Sequence, residues 1–255
     1  MILKRKNYPY PYNMIIAFEG LDCSFKETNY KEFIRRLKEE FPDKTVITES
    51  FPRYKSEASV FVRKYLSGND YQRSKLMGRL DIVGSFFALD RFDYWYSSIL
   101  NGDTSVNNKT LLESGLNTSF IFDRYTLSNS LYNPLNGNGI TAKDITFDFD
   151  RFNVPLPDII VWMRMRNFDK IVEMLSAKEN KDANELNTSY LRRVWERSEK
   201  LIQSSLLDEE GIDLVVVECL DENGEIKSKE QLADDVWHSI MNHVYDAAQV
   251  GDEDE

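Results

Sequence analysis

The sequence predicts an α/β domain built on a five-stranded parallel sheet that is flanked by helices. Short apolar runs rich in β-branched residues alternate along the chain with longer segments of helical spacing. Strands separated by helices of this length form parallel sheets with right-handed crossovers. The 255 residues, of which 42% are hydrophobic, suffice for one core and a small lid. We therefore expect ligands to bind at the edge of the sheet where the strands end.

The individual elements follow from the short apolar runs and from the segments of helical spacing. The first strand is predicted at residues 14–19, which read MIIAFE and are followed by Gly20. Four further apolar runs are predicted as strands: 44–50, 118–125, 157–165 and 211–219. The segments predicted as helices are 26–40, 58–66, 75–100, 167–177, 188–207 and 229–247. The domain then covers residues 14–247 with a lid at about 176–187, between an N-terminal arm at 1–13 and an acidic, disordered tail at 248–255.

Charge and composition argue against several classes of partner. The net charge of −11 provides no basic face, so we expect no nucleic acid partner. No apolar run approaches the ~20 residues of a transmembrane helix, and residues 1–13 lack the apolar core of a signal peptide, so we expect no membrane association. Cys23 and Cys219 form neither a disulfide framework nor a metal-binding spacing, which favours a reducing cytoplasm.

The segment GLDCSFKET, residues 20–28, follows the first strand and has the form of a phosphate-binding loop. Backbone N–H groups near Gly20, a helix N-terminus and the ammonium of Lys26 can together hold the phosphates of a nucleotide. Phe25 stands where such loops have glycine, and Glu27 stands where they have the Ser or Thr that binds Mg²⁺. An ordinary strand–turn–helix with a surface lysine explains the bare pattern equally well.

Five segments in a fixed order decide between these two interpretations: FEGLDCSFKET, ESFPRYKSE, FFALDRFDYW, IFDRYTLSNSLY and LPDIIVWMRM. Together they resemble the signature segments of the thymidylate kinases, which are P-loop nucleoside monophosphate kinases. The resemblance extends over residues 14–202. It implies a P-loop NTPase fold and the ATP- and Mg²⁺-dependent phosphorylation of dTMP to dTDP.

The resemblance also implies an acceptor site. Arg53 corresponds to the arginine that holds the dTMP phosphate, and a guanidinium group can bind a phosphate through two hydrogen bonds. Phe87 corresponds to the phenylalanine that stacks on thymine, and Arg91 to the arginine that hydrogen-bonds O4; four residues apart, they share a helix face. The remaining residues implied to bind dTMP are Asp22, Arg124, Ser128, Tyr132 and Asn133, the last of which stands where the family often has Gln. Phe87 as a core residue and Arg91 in an ion pair with Asp90 or Asp93 are the alternatives.

The same resemblance implies a donor site and a catalytic group. The implied donor-phosphate ligands are Gly20, Cys23, Ser24, Phe25, Lys26, Glu27, Thr28, Lys178 and Lys181. Glu27, Thr28 and Asp123 are the candidate Mg²⁺ ligands, and Lys26, Asp22, Asp123 and Arg124 form the catalytic group. Asp123 and Arg124 could instead be a structural pair.

Three departures from the family pattern affect the donor side. Besides Phe25 and Glu27, the chain lacks the donor-side arginine, because Cys23 occupies one of its two usual places and the lid has Lys178, Lys181 and Ala183 at the other. Lysine supplies charge but no planar guanidinium. One interpretation is a dTMP kinase with a rebuilt donor site, and the other is a nucleotide-binding protein that transfers phosphate weakly or not at all. A kinase for another deoxynucleotide or a deoxynucleoside, and an interaction protein that uses residues 100–119, also remain open.

Members of this family are often homodimers. We therefore expect a homodimer, with the aromatic segment 75–100 as its candidate interface.

Overall fold

The computed structural model describes residues 14–67, 75–76, 79–96, 108, 112, 117–135, 139–179 and 184–252. Its centre is a parallel five-stranded sheet in the order β2-β3-β1-β4-β5. The strands are β1 (Ile15–Glu19), β2 (Thr45–Ser50), β3 (Thr118–Asp123), β4 (Ile159–Arg164) and β5 (Asp213–Glu218). The predicted number, order along the chain and parallel direction of the strands are confirmed.

The helices cover both faces of the sheet. They are α1 (Lys26–Glu40), α2 (Val60–Leu66), α3 (Ser85–Trp95), α4 (Thr126–Tyr132), α5 (Ala142–Ile145), α6 (Phe147–Phe152), α7 (Phe168–Ser176), α8 (Thr188–Ile202), α9 (Leu206–Glu209) and α10 (Lys229–Asp252). None of the helices in the described part of the chain is both long and apolar enough to cross a bilayer.

The central strands are largely apolar and buried because helices cover them on both sides. Every residue of β1 is buried, and the first five residues of β3 are buried as well. Aromatic residues near position 95 pack into the core: Trp95 is fully buried and contacts Phe120 and Phe122. Its indole N–H donates a hydrogen bond to the hydroxyl of Tyr125 at 2.6 Å. This cluster supports the turn that follows β3.

Two predicted helices are wrong in their extent. The continuous helix at 75–100 is interrupted, because Arg79 has non-helical dihedrals and a π-helical turn over Leu80–Gly84 precedes α3. The helix at 188–207 is divided into α8 and α9. The hydroxyl of Ser204 donates to the carbonyl of Leu201 and accepts from the N–H of Leu206, so this side chain competes with the backbone pairing of a helix.

The last helix continues beyond its predicted end. It reaches Asp252, so the first residues of the segment that we expected to be a disordered tail are helical. The stretch up to residue 250 contains no proline that would end a helix. Residues 253–255 and the predicted arm at 1–13 lie outside the described residues.

The sequence reading missed the helices between β3 and β4. The segment of α4 reads TLSNSLY, and its polar residues have weak helical propensity. The short helix α5 begins with a capping box in which Thr141 and Asp144 satisfy each other's backbone N–H groups. These helices supply several side chains of the site described next.

Candidate nucleotide site

The loop between β1 and α1 has the shape of a phosphate-binding loop. Gly20 has φ 156°, and an added Cβ would lie 2.5 Å from Ser24 Oγ and 2.9 Å from the carbonyl oxygen of Met163, so only glycine fits there. Cys23 and Phe25 have left-handed dihedrals, with φ values of 65° and 58°. The loop keeps this shape although Phe25 replaces the usual glycine. A bulky residue at positive φ is strained, so Phe25 has a conformational cost that glycine would not have.

Lys26 is the first residue of α1 and points towards the end of β3. It is 9% exposed, and its Nζ lies 3.3 Å from Oδ1 of Asp123. Burial lowers the pKa of Lys26, and the charge of Arg124 lowers it further, while Asp123 acts in the opposite direction. The ammonium group and this carboxylate thus face each other where β1 and β3 end.

The two residues that follow Lys26 face solvent. The carboxylate of Glu27 is bonded to Lys31 at 2.5 Å on the exposed face of α1, and Thr28 is exposed as well. Asp123 differs, since its Oδ1 is buried and faces the ammonium of Lys26, with no other hydrogen-bond partner among the described residues. Mg²⁺ bound to a nucleotide takes one or two carboxylates, and in this conformation Asp123 fits that requirement better than Glu27.

The residue that follows β5 forms a hydrogen bond with the phosphate loop. The thiol of Cys219 is fully buried and donates to the carbonyl oxygen of Ser24 at 3.4 Å. Burial raises the pKa of Cys219 to about 12, so the sulfur remains a protonated donor. Burial also raises the pKa of the Cys23 thiol, with Asp22 adding to the shift.

Beside this loop is a cavity of about 140 Å³. Seven of the residues predicted to bind dTMP line it: Asp22, Phe87, Arg91, Arg124, Ser128, Tyr132 and Asn133. Residues that the sequence reading did not select also line it, among them Phe51, Tyr54, Tyr65, Asn129 and Asn184. The side chains therefore come from the loops that follow β1, β2 and β3, from α2, α3 and α4, and from the segment before α8.

The end of the cavity nearest the phosphate loop is built around Arg124. Its Nη2 lies 2.5 Å from the carboxylate of Asp22, and its Nη1 lies 3.2 Å from Ser128 Oγ and 3.3 Å from the carbonyl oxygen of Gly20. Its guanidinium also lies 5.8 Å from the centre of the Tyr132 ring. The left-handed backbone of Arg124, with φ 62°, turns this side chain back towards the loop. Asp123 and Arg124 are therefore not paired with each other but face Lys26 and Asp22.

The inner end of the cavity contains Arg91. This residue is 2% exposed, and its Nε lies 2.5 Å from the carboxylate of Asp148. The alternative pairing of Arg91 with Asp90 or Asp93 is wrong. Several buried polar atoms of the cavity walls have no hydrogen-bond partner among the described residues, among them Arg91 Nη2, Asn129 Oδ1, Asn133 Oδ1 and the hydroxyl of Tyr132. A polar ligand would satisfy them.

The role predicted for Arg53 stays a prediction, and Arg53 is not among the residues that line the cavity in this structure. Its Nε lies 3.0 Å from Asp90, and its Nη2 lies 2.7 Å from Asp93 and 2.7 Å from the carbonyl oxygen of Asp90. The two carboxylates on one face of α3 thus occupy its guanidinium, and the neighbouring residues Pro52 and Tyr54 form the cavity wall.

The predicted lid is described in part. Lys178 follows α7 and forms an ion pair at 2.6 Å with the buried Glu185. The charges of both residues act on the pKa of Cys23, so this pair lies near the phosphate loop. Lys181 and Ala183 lie outside the described residues.

One further residue of the cavity carries a signal in the sequence. Asn129 directly follows Ser128 in IFDRYTLSNSLY, one helical turn after Tyr125. Asp148, in contrast, carries no local signal, because it lies in the segment DFDRF among other acidic residues.

Two solved structures have a similar fold. A thymidylate kinase from Ehrlichia chaffeensis aligns with a TM-score of 0.55 at 19% identity, covering 91% of this chain and 100% of that chain. A thymidylate kinase from Candida albicans aligns with a TM-score of 0.55 at 16% identity, covering 91% and 93%. The fold is that of the thymidylate kinases. At this identity the similarity establishes the fold alone. No family model and no curated protein sequence matches the chain.

The thymidylate kinase fold confirms the predicted P-loop NTPase architecture. In such open parallel sheets, ligands bind beyond the carboxyl ends of the strands. The cavity and the phosphate loop of this chain lie at that edge.

Proposed function

We propose that this protein transfers the γ-phosphoryl group of ATP to the phosphate of dTMP, giving ADP and dTDP. One observation carries the proposal: a single cavity joins the guanidinium of Arg124, beside the phosphate loop, to the buried Nη2 of Arg91, which has no hydrogen-bond partner among the described residues. A ligand with a phosphate at one end and a carbonyl-bearing base at the other would satisfy both groups. The fold shared with two thymidylate kinases supports this choice.

On the acceptor side, Arg124 binds the phosphate of dTMP, and Asp22 holds Arg124 in place. Phe87 packs against the base, and Arg91 donates to its O4. Ser128, Tyr132 and Asn133 complete the walls. Arg53 acts indirectly in this scheme, since it fixes the turn that carries Pro52 and Tyr54.

On the donor side, Lys26 and the backbone N–H groups of the phosphate loop bind the ATP phosphates. To do so, Lys26 exchanges the carboxylate of Asp123 for a phosphate oxygen. Asp123 is then available to hold Mg²⁺, which neutralises charge on the donor phosphates. Glu27 and Thr28 keep a role as metal ligands only if the first turn of α1 reorients.

Catalysis in this scheme is positioning and charge neutralisation. The reaction needs the donor and acceptor phosphates in line, and no covalent intermediate forms on the protein. Lys26 follows the phosphate loop at the start of α1, and Arg124 contacts the same loop at the carbonyl oxygen of Gly20. Closure of the lid segment, which carries Lys178 and Lys181, would exclude water from the site.

A coupled assay with ATP, Mg²⁺ and dTMP tests the proposal. Lys26→Ala should lower turnover by roughly a hundredfold or more, because the charge on the donor phosphates is lost. Lys31→Ala, on the exposed face of the same helix, is the matched control and should leave the rate within about twofold. Absence of dTDP formation, or equal rates for the wild type and Lys26→Ala, would contradict the assigned chemistry.

A second candidate function is nucleotide binding with weak or no phosphate transfer. The observation that favours it is the strained Phe25 next to a Lys26 that already has a carboxylate partner. It predicts that dTMP binds in a calorimeter while no product forms.

A kinase for another deoxynucleotide or a deoxynucleoside is the further alternative. It gains weight because Arg53 does not line the cavity, which leaves Arg124 as the principal phosphate ligand. A substrate panel of dTMP, dUMP, dCMP and thymidine separates these cases.

We further propose a cytoplasmic homodimer. The free thiols of Cys23 and Cys219 agree with a reducing compartment. Phe61 on α2 and Leu89 on α3 expose apolar surface near the predicted interface, at 53% and 38%. Sedimentation of the purified protein measures the oligomeric state.

A further inference from the structure

Asp148 connects two walls of the cavity without lining it. This residue lies on α6, is 1% exposed, and is absent from the cavity surface. Its Oδ2 accepts from Nε of Arg91 at 2.5 Å, and its Oδ1 accepts from Nδ2 of Asn129 at 3.1 Å. One carboxylate therefore orients one side chain from α3 and one from α4.

The hydrogen bonds of Asn129 fix which way its amide group faces. Its Nδ2 donates to Asp148 and also to the carbonyl oxygen of Gly84 at 3.0 Å. Both amide hydrogens are thereby used, so the atom left for a ligand is Oδ1, which only accepts. This Oδ1 is buried and has no partner among the described residues.

The neighbouring Arg91 offers the opposite polarity. Its Nε is bonded to Asp148, and its buried Nη2 has no partner in the described part of the chain. Burial alone would lower the pKa of Arg91, but the charge of Asp148 and its hydrogen bond, together with Tyr125 and Asp90, outweigh this effect, so the pKa is raised and the group stays a cationic donor. The inner end of the cavity thus presents one donor and one acceptor, both oriented by the same carboxylate.

We propose that Asp148 is a positioning residue that makes this end of the cavity select a base with a carbonyl group next to an N–H group. This rests on the proposed function, in which the base of the acceptor nucleotide lies at Arg91. Uracil and thymine carry such an edge, because O4 accepts and N3–H donates. When O4 of the base faces the guanidinium of Arg91 and N3–H faces Oδ1 of Asn129, each donor meets an acceptor.

Cytosine has the reverse arrangement in the same place. Its N4 amino group would face the guanidinium of Arg91, and its unprotonated N3 would face Oδ1 of Asn129. Both contacts leave buried groups unsatisfied, and the cost of one such group corresponds to roughly tenfold in affinity. dUMP and dCMP therefore form a matched pair of probes, since they differ only at this edge.

The variant that tests the inference is Asp148→Asn. An amide at position 148 cannot accept from both Arg91 and Asn129, so the amide of Asn129 rotates and Oδ1 no longer faces the cavity. In the wild type, dUMP should bind at least roughly tenfold more tightly than dCMP in a calorimeter. In Asp148→Asn the ratio of the two affinities should fall to within about threefold of one. Asp150→Asn, an exposed carboxylate on the same helix, is the control and should keep the wild-type ratio.

The ratio of the dUMP and dCMP affinities distinguishes a positioning role from a general role in stability. A general loss of stability would weaken the binding of both nucleotides equally. If Asp148→Asn does not fold, Asp148→Glu replaces it, because one added methylene displaces both oxygens while keeping the charge. Equal binding of dUMP and dCMP to the wild type, an unchanged ratio in the folded variant, or unfolding of both variants would overturn the inference. A wild type that binds neither of these nucleotides nor dTMP would overturn the proposed function, and the inference with it.

Discussion

The carboxylate of Glu19, at the end of β1, accepts a hydrogen bond from the hydroxyl of Ser128 at 2.5 Å. The same carboxylate accepts from the backbone N–H groups of Tyr125 at 2.8 Å and Ser128 at 3.1 Å. Glu19 is fully buried and immediately precedes the phosphate loop. It therefore fixes the turn that carries Arg124 relative to that loop.

We expect Glu19→Gln to destabilise the protein. The side-chain amide has one oxygen, so at least one of the three donors loses its acceptor and faces an NH₂ group instead. The free energy of unfolding should fall by about 2 kcal/mol, as measured by urea denaturation. Glu49→Gln, at the end of β2 and only half-buried, is the control and should change it by less than about 0.5 kcal/mol. Equal effects of the two variants would contradict this role of Glu19.

Removal of Arg53 should mainly lower the stability of the protein, whereas removal of Arg124 should mainly lower its affinity for dTMP. Arg53→Ala leaves the buried carboxylates of Asp90 and Asp93 without their cation, so the free energy of unfolding should fall by about 3 kcal/mol. The affinity of the folded variant for dTMP should change by less than about threefold. Arg124→Ala should weaken dTMP binding by about tenfold or more, because a charge-assisted contact to phosphate is lost. Calorimetry and denaturation of both variants measure these values, and an equal loss of affinity in Arg53→Ala would return Arg53 to the acceptor site.

The left-handed backbone at Phe25 predicts that a glycine variant at this position is more stable than an alanine variant. Both Phe25→Ala and Phe25→Gly remove the half-buried ring, but only glycine adopts φ 58° without steric cost. The glycine variant should therefore be the more stable of the two by about 1 kcal/mol in urea denaturation. Gly211→Ala is a matched test of the backbone cost, since Gly211 has φ 74° and an added Cβ would meet no atom within 4 Å. A more stable alanine variant at position 25 would mean that the loop does not hold this conformation in solution.

Lys44 predicts a pH dependence of stability. Burial lowers the pKa of Lys44 to about 8 from its usual 10.5. Between these two values the unfolded chain binds the proton more strongly than the folded protein, so this group makes folding more favourable as the pH rises from about 8 towards 10.5. Lys44→Met removes the effect. The stability of the wild type relative to Lys44→Met should therefore increase over that window, by roughly 1 kcal/mol per pH unit at most.

Chemical denaturation at several pH values measures this difference. Cys219 and Tyr30 also affect stability in this range, because burial raises their pKa to about 12 in the folded protein, whereas in the unfolded chain they titrate at about 8.5 and 10. These groups are present in both proteins, so the difference isolates Lys44. Lys38→Met, on the exposed face of α1, should show no such change relative to the wild type. A pH-independent difference between the wild type and Lys44→Met would show that position 44 stays fully hydrated.

The fold and many of the residues that line the cavity could be predicted from the sequence, whereas the direction of particular side chains could not. Phe87 and Arg91 share a helix face by their spacing, and both line the cavity as predicted. Arg53 lies in a turn, where no periodicity fixes a side-chain direction, and Asp90 and Asp93 hold it away from the cavity. The assignment of Glu27 to Mg²⁺ stays a prediction, although Lys31 one turn later holds its carboxylate on the exposed face of α1.

The sequence by itself determined the five strands, their parallel direction and the place of the phosphate loop, because hydrophobic period and element length are local properties. Only the tertiary structure decided that Asp148 meets Arg91 and Asn129, that Glu19 meets Ser128, and that Arg53 faces away. Each of these contacts joins residues far apart in the chain, and a buried charge finds its partner only when helices and strands are packed together. The polarity of the cavity is therefore a property of the packing rather than of any one motif.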